Sequence, residues 1–154
     1  MKNVHESGPS ADFPTVEVRV ADVPATVAET VLLAALVRGA VMTALEAEQQ
    51  GDSLAPLAPH ALKAAYWKSA REGLDGDALD LTESHASAPA VELLDGLIDH
   101  IRPALEAVGD YDLVRTELAR IAEHGNGAMR QRRAWQHRHD IADVIAEAAT
   151  ATLE

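Results

Sequence analysis

The chain contains no cysteine, which excludes disulfides, thiolate metal sites and cysteine nucleophiles and tilts the expected compartment toward the reducing cytosol. Aromatic residues are scarce, with only Phe13, Tyr66, Trp67, Tyr111 and Trp135. A β-sandwich draws on Val, Ile, Tyr and Phe, whereas this alanine-rich composition suits packed helices, so an all-β fold is disfavoured. Basic residues are few as well. Thirteen Lys and Arg stand against 25 acids, a net charge of −12, which repels a phosphate backbone over most of the surface and removes nucleic acid as a general partner. Unbroken apolar runs such as Val31 to Leu36 fall far short of the ~20 residues that cross a bilayer, and the polar first dozen residues lack the core of a secretion signal. The expectation is a soluble, cytoplasmic protein with no membrane partner. The sequence also lacks HExxH, GxSxG, GxGxxG and a Walker loop.

What remains is a chain of 154 residues, 47% apolar, enough for one core of ordinary size. Residues 1–14 show no period and read as a flexible lead-in; residues 15–154 read as a single helical domain with one strand. From Thr15 the alternation TVEVRVAD places Val16, Val18 and Val20 on one face and Glu17 and Arg19 on the other, as in a strand. The capping-box spacing Thr26-x-x-Glu29 opens a helix running to about Gln50. Further helices are predicted from Pro59 to Arg71, from Ser87 or Ala88 to Val108, from Tyr111 to His124, and from about Ala128 to Ala149, with an acidic loop between Gly73 and Ser87. Five helices and one strand define a mostly helical α+β protein. A single strand satisfies neither its own N–H and C=O groups nor its valine face, so it is expected to join an antiparallel sheet carried by a partner chain.

Three groups of residues carry potential chemistry. Glu17 and Arg19 project side by side, either as a solvated ion pair or as a hard-cation ligand beside a phosphate clamp; spacing alone does not separate the two. Residues 124–139, HGNGAMRQRRAWQHRH, gather Arg130, Arg132, Arg133 and Arg138 after two glycines, and hold four of the chain's 13 basic residues. That patch is either a helix face paired with acids from neighbouring helices or an anion site at a helix start. Trp67, Lys68 and Arg71 end the second helix, where packing and an exposed terminal charge are the ordinary explanation. The seven histidines are scattered, and His137 and His139 point in different directions on a helix, so a two-histidine metal grip is not expected.

Taken in order, FPTVEVRVADVPATVAETVLLAALVRG, AYWKSAREGLDG, Gly109-Asp110 before a helix, and HGNGAMRQR resemble the C-terminal part of the type 2 glutamate-cysteine ligases, or carboxylate-amine ligases, from about Phe13 to Arg133. The resemblance implies the C-terminal part of a glutamine-synthetase-like fold, in which an antiparallel sheet holds ATP and Mg²⁺. It implies an ATP-dependent ligase that activates a small-molecule carboxylate as an acyl phosphate for attack by an amine. By match to the family's E-x-R strand, Glu17 becomes a metal ligand and Arg19 a catalytic residue beside the transferred phosphoryl group. Arg71, Arg130 and Arg132 match motif arginines that contact cofactor or substrate. The family's chains are more than twice as long, so the expectation is a subunit, incomplete without a partner carrying the N-terminal half. A Met just upstream of the strand fits a separately encoded chain. The alternative is a noncatalytic accessory or regulatory subunit that stabilises a ligase partner.

Overall fold

The computed structural model describes residues 7–9, 15–18, 21–52, 57–82 and 86–153, with the backbone alone for 7–9 and Glu17. Ten regular elements follow one another: β1 (Ser7–Pro9), β2 (Val16–Val18), α1 (Val27–Gln50), α2 (Pro59–Glu72), β3 (Asp77–Leu79), β4 (Ser87–Pro89), α3 (Ala90–Val108), α4 (Tyr111–His124), α5 (Gly127–Arg138) and α6 (Ile141–Ala151). The protein is mostly helical with short antiparallel ribbons, an α+β arrangement. Contacts divide it into two compact units, residues 1–38 with 105–154 and residues 39–104, and the boundaries fall inside α1 and α3.

In the first unit β1 pairs antiparallel with β2, in the register Ser7↔Val18, Gly8↔Glu17, Pro9↔Val16. This corrects the count of one strand. The segment read as a lead-in supplies a short partner, and the strand that looked alone is half of a two-stranded ribbon. Such a ribbon, among the described residues, leaves one edge of each strand unpaired. Helix α1 begins with the anticipated capping box: the Glu29 N–H donates to Thr26 Oγ1 at 3.1 Å, and Glu29 Oε2 accepts from the Ala25 N–H at 2.9 Å. Leu32 and Ala35 of α1 are buried, as are Leu105, Val114, Ile121 and Ala151, which form the core of this unit.

The helix expected from Ala128 to Ala149 is two. α5 stops where His139 takes a left-handed backbone (φ 55°) and its N–H donates to Trp135 O at 2.7 Å. Asp140 then caps α6, its Oδ1 accepting from the Ala142 N–H at 2.9 Å. Neither Gly nor Pro marks this break, so a search for glycine punctuation passes over it.

The second unit holds α2, β3, β4 and most of α3, with Ile98, Ile101 and Ala104 buried. The acidic stretch read as a loop is built: a 3-10 turn (Gly73–Asp75) leads into β3, which pairs antiparallel with β4. Glu72 fastens α2 to this ribbon, accepting from Lys68 Nζ at 2.8 Å and from the Asp77 N–H at 3.1 Å.

By length and composition α1 is able to cross a membrane, a property that counting unbroken apolar runs misses. Two of its charges are paired: Arg38, near the middle of α1, with Asp110, and Glu29 in an ion cluster with α4 and α5.

Candidate functional site

Gly125 ends α4 against α5, and Gly127 brings the start of α5 against Ala25, just before α1. Gly125 lies at φ +83°, and a Cβ there would stand 2.9 Å from Arg133 Nη1 and 3.0 Å from Met129 Cβ. A Cβ on Gly127 would stand 2.8 Å from Ala25 Cβ. Between them Asn126 caps α5, its Oδ1 accepting from the Met129 N–H at 3.0 Å. Gly127 is therefore explained by helix docking and Gly125 by the left-handed end of α4, and the first free donors of α5 are already partly satisfied.

That docking delivers Arg130 to Glu29, 101 residues away in sequence. Arg130 Nη1 donates to Glu29 Oε1 at 3.0 Å and to Gly125 O at 2.8 Å. Its Nε lies 3.3 Å from Glu147 Oε1 of α6. From α4, Arg120 Nη2 approaches Glu29 Oε1 at 3.6 Å, and Arg120 Nε donates to Glu117 Oε2 at 2.8 Å. The Arg130 and Glu29 side chains are only 12% and 9% exposed. Hydrogen bonding to Glu117, reinforced by the charges of Glu117 and Glu29, holds the Arg120 pKa above the ordinary arginine value. The Nη2 atoms of Arg120 and Arg130 are buried without a hydrogen-bond partner.

Beside the cluster an open cleft of about 610 Å³ is lined by Glu123, His124, Arg130, Arg133, Ala134 and Glu147. Arg133 is turned onto His124 O. The cleft mixes cations with carboxylates. Arg132 is exposed on α5. Arg138 is paired with Asp143, Nε donating to Oδ2 at 2.9 Å. Of the basic patch, Arg130 and Arg138 thus pair with acids, and Arg133 caps a carbonyl.

The other site candidates are placed as follows. Glu17 lies in the middle of β2, opposite Gly8. Arg19 and Val20 lie outside the described residues. Arg71, in the second unit, is exposed with its guanidinium 5.5 Å from the Trp67 ring centroid, a cation–π contact. Reading the sequence missed Glu29 and Glu147 as partners of Arg130, and Arg120 as a second partner of Glu29. Glu29 was visible only as a capping-box residue, and no local signal joins it to α4, α5 or α6.

Among the described residues no group of three or more His, Asp or Glu is placed to hold a metal ion, and Glu17 is described by its backbone alone. The orphaned guanidinium nitrogens are donors of the kind a phosphate or carboxylate accepts, but they are enclosed, and Arg130 already has two carboxylates.

An α+β chain built on helices, with short ribbons and one arginine-rich helix, α5, is the class the fold defines. Comparison with known proteins makes it specific: residues 5–147 match the glutamate-cysteine ligase family 2 model, and the chain belongs to that family. A relative from Mycolicibacterium vanbaalenii, provisionally named glutamate–cysteine ligase 2-2, is 68% identical over 95% of this chain and 40% of its own length. One from Mycolicibacterium smegmatis, provisionally named glutamate–cysteine ligase 2-3, is 67% identical over 94% of this chain and 40% of its own. One from Nocardia farcinica, provisionally named glutamate–cysteine ligase 2-1, is 49% identical over 97% and 39%. The chain therefore spans about two fifths of the length of these relatives, the C-terminal part. No solved structure matches it significantly.

Proposed function

We propose that this chain is one part of an ATP-dependent carboxylate-amine ligase, acting in the cytoplasm, which forms an amide bond through an acyl phosphate and is complete only with the complementary N-terminal part. The supporting observation is the family match over residues 5–147 combined with coverage of only 40% of the relatives. In this reading Glu17 of β2 serves as one carboxylate toward Mg²⁺, and Arg19, two residues on in the sequence, as the cation beside the moving phosphoryl group. A magnesium site of this kind takes one or two carboxylates together with substrate phosphates, so the remaining acidic ligands belong to the partner. Arg71, Arg130 and Arg132 provide positive charge toward ATP or the carboxylate substrate. An arginine opposite developing phosphoryl charge stabilises the transition state more than the ground state, which raises kcat.

The ion cluster favours a second reading. The enclosure of Arg130 with Glu29 and Glu147 supports a structural part for it, which suits a noncatalytic module that stabilises a ligase partner. The test is Glu17→Gln in the complex reconstituted with the N-terminal part of a relative. On the ligase reading, amide formation and metal-dependent ATP turnover fall at least about 100-fold while assembly is kept. Turnover near the starting rate in an intact complex leaves the accessory reading.

A further inference from the structure

The guanidinium of Arg130 is gripped unevenly. Its Nη1 has two acceptors, Glu29 Oε1 at 3.0 Å and Gly125 O at 2.8 Å. The other edge, formed by Nε and Nη2, presents two parallel N–H groups in one plane, the fork that takes both oxygens of a carboxylate. Here that edge meets a single oxygen. Glu147 Oε1 stands 3.3 Å from Nε, beyond the ~2.7–2.9 Å of a close charged pair, and Nη2 is buried with no hydrogen-bond partner at all. Glu147 is also the looser of the two acids on Arg130: its side chain is 33% exposed, against 9% for Glu29. It lines the open cleft of about 610 Å³ together with Arg130, Arg133 and His124. Turning Glu147 outward into that cleft uncovers the Nε/Nη2 edge, while Nη1 stays on Glu29 and Gly125 O and keeps the guanidinium aimed.

We infer that the Nε/Nη2 edge of Arg130 is a binding site for the carboxylate of a small-molecule ligand, covered in the free chain by Glu147 as a displaceable stand-in. Glu29 is the fixed partner that orients the guanidinium, and Glu147 is the exchangeable one. The ligand class follows from the occupant. A carboxylate that replaces Glu147 on the fork leaves the charge at that place unchanged and adds an acceptor for the unpartnered Nη2. A phosphate dianion would bring a further negative charge beside Glu29 and Glu117, which already face Arg130 and Arg120. The cleft has the volume to hold the rest of a small acid. The inference rests on the ligase reading for the ligand's role, the acid to be activated, and it assigns Arg130 to that acid rather than to ATP.

The experiment titrates the full chain, labelled with ¹⁵N, with sodium propionate at an ionic strength held constant by NaCl, and follows the Arg130 Nε–H signal. Inorganic phosphate is titrated in parallel. The unchanged chain, Glu147→Ala and Arg130→Lys are compared, and circular dichroism checks that each keeps its helix content. A saturable shift of the Arg130 signal that tightens at least about fivefold in Glu147→Ala supports the site, since removing a cover returns the affinity it masks. Loss of binding in a folded Arg130→Lys, which keeps the charge and lacks the fork, supports it further; if that variant unfolds, the comparison with Glu147→Ala decides alone. No saturable shift in the unchanged chain or in Glu147→Ala overturns the site, as does binding that Glu147→Ala leaves equal or weaker. Phosphate binding tighter than propionate overturns the ligand class. Amide formation is assayed separately, in the complex reconstituted with the N-terminal part of a relative. Amide made with ATP and Mg²⁺ while propionate ignores Arg130 rejects this site and keeps the ligase reading; propionate binding unmasked by Glu147→Ala in a chain whose complex makes no amide keeps the site and rejects the ligase role.

Discussion

Glu29 is asked to do three things with two oxygens: cap α1 through the Ala25 N–H, hold Arg130, and offset the charge of Arg120. Glu29→Gln keeps an acceptor for the cap and removes the charge. Breaking a buried ion pair from one side costs about 3–5 kcal/mol. The lower end is expected here, because Glu147 and Glu117 still face the two arginines and Arg120 is partly open to water. Urea denaturation measures the loss, and a change below about 1 kcal/mol would show that the cluster is not the tie its geometry implies. The capping role was legible, since Thr26-x-x-Glu29 stands in a row of four residues. The pairing with Arg130 was not, because ion-pair partners 101 residues apart are chosen by tertiary packing and leave no local pattern. The same holds for the basic patch: its composition announced arginines in need of acids, and only the fold names Glu29, Glu147 and Asp143.

At the scale of elements, glycines separate propensity from packing. Gly96 is exposed in α3, and a methyl group placed on it would meet no heavy atom within 4 Å, so it has nothing to lose on gaining a side chain. Gly96→Ala should stabilise the protein by about 0.5–1 kcal/mol, the helix-propensity difference. Gly127→Ala would gain the same propensity but drive its methyl to 2.8 Å from Ala25 Cβ. It should be destabilising by about 1–3 kcal/mol, the cost of overpacking, and should loosen α5 from α1. Thermal unfolding of the pair gives opposite shifts in Tm; shifts of the same sign would contradict the close approach. The α5–α6 junction adds a pH dependence. Hydrogen bonding to Arg138 holds the Asp143 carboxyl below its ordinary value of 3.8. A lowered folded-state pKa means a contribution to stability that is present above the unfolded value and is lost as pH falls through the folded value. Carboxyl titration by NMR should place Asp143 below 3.8, and Arg138→Gln should raise it toward that value. The helices were largely readable from periodicity, and α4 was placed to the residue. The α5–α6 break was lost because a left-handed His139 and the Asp140 cap do the work usually assigned to glycine.

For the whole molecule, charge and bare apolar surface oppose each other. The net charge of −12 at pH 7 and a pI near 4.9 keep copies apart at neutral pH, where mutual repulsion outweighs contact between exposed apolar side chains. Protonating carboxylates and histidines on the way to pH 4.9 removes that repulsion while those side chains stay as exposed as before. The isolated chain should therefore scatter light increasingly as the pH approaches that value, well above the range in which Asp143 loses its pairing. The sequence showed the alternation of β2, with valines on one face, and from it came the expectation of a covering sheet. It missed β1, because a three-residue strand containing Gly and Pro carries no alternation to detect. What β1 supplies is one edge, and Val16 and Val18 remain exposed beside it. If Val27 and Val31, both exposed on α1, drive the association, Val27→Asp with Val31→Asp should suppress scattering near pH 4.9 more than Leu153→Asp does, although all three changes add acidic residues to the chain. Equal suppression per added aspartate would trace the association to net charge alone and leave the two valines without a role in it.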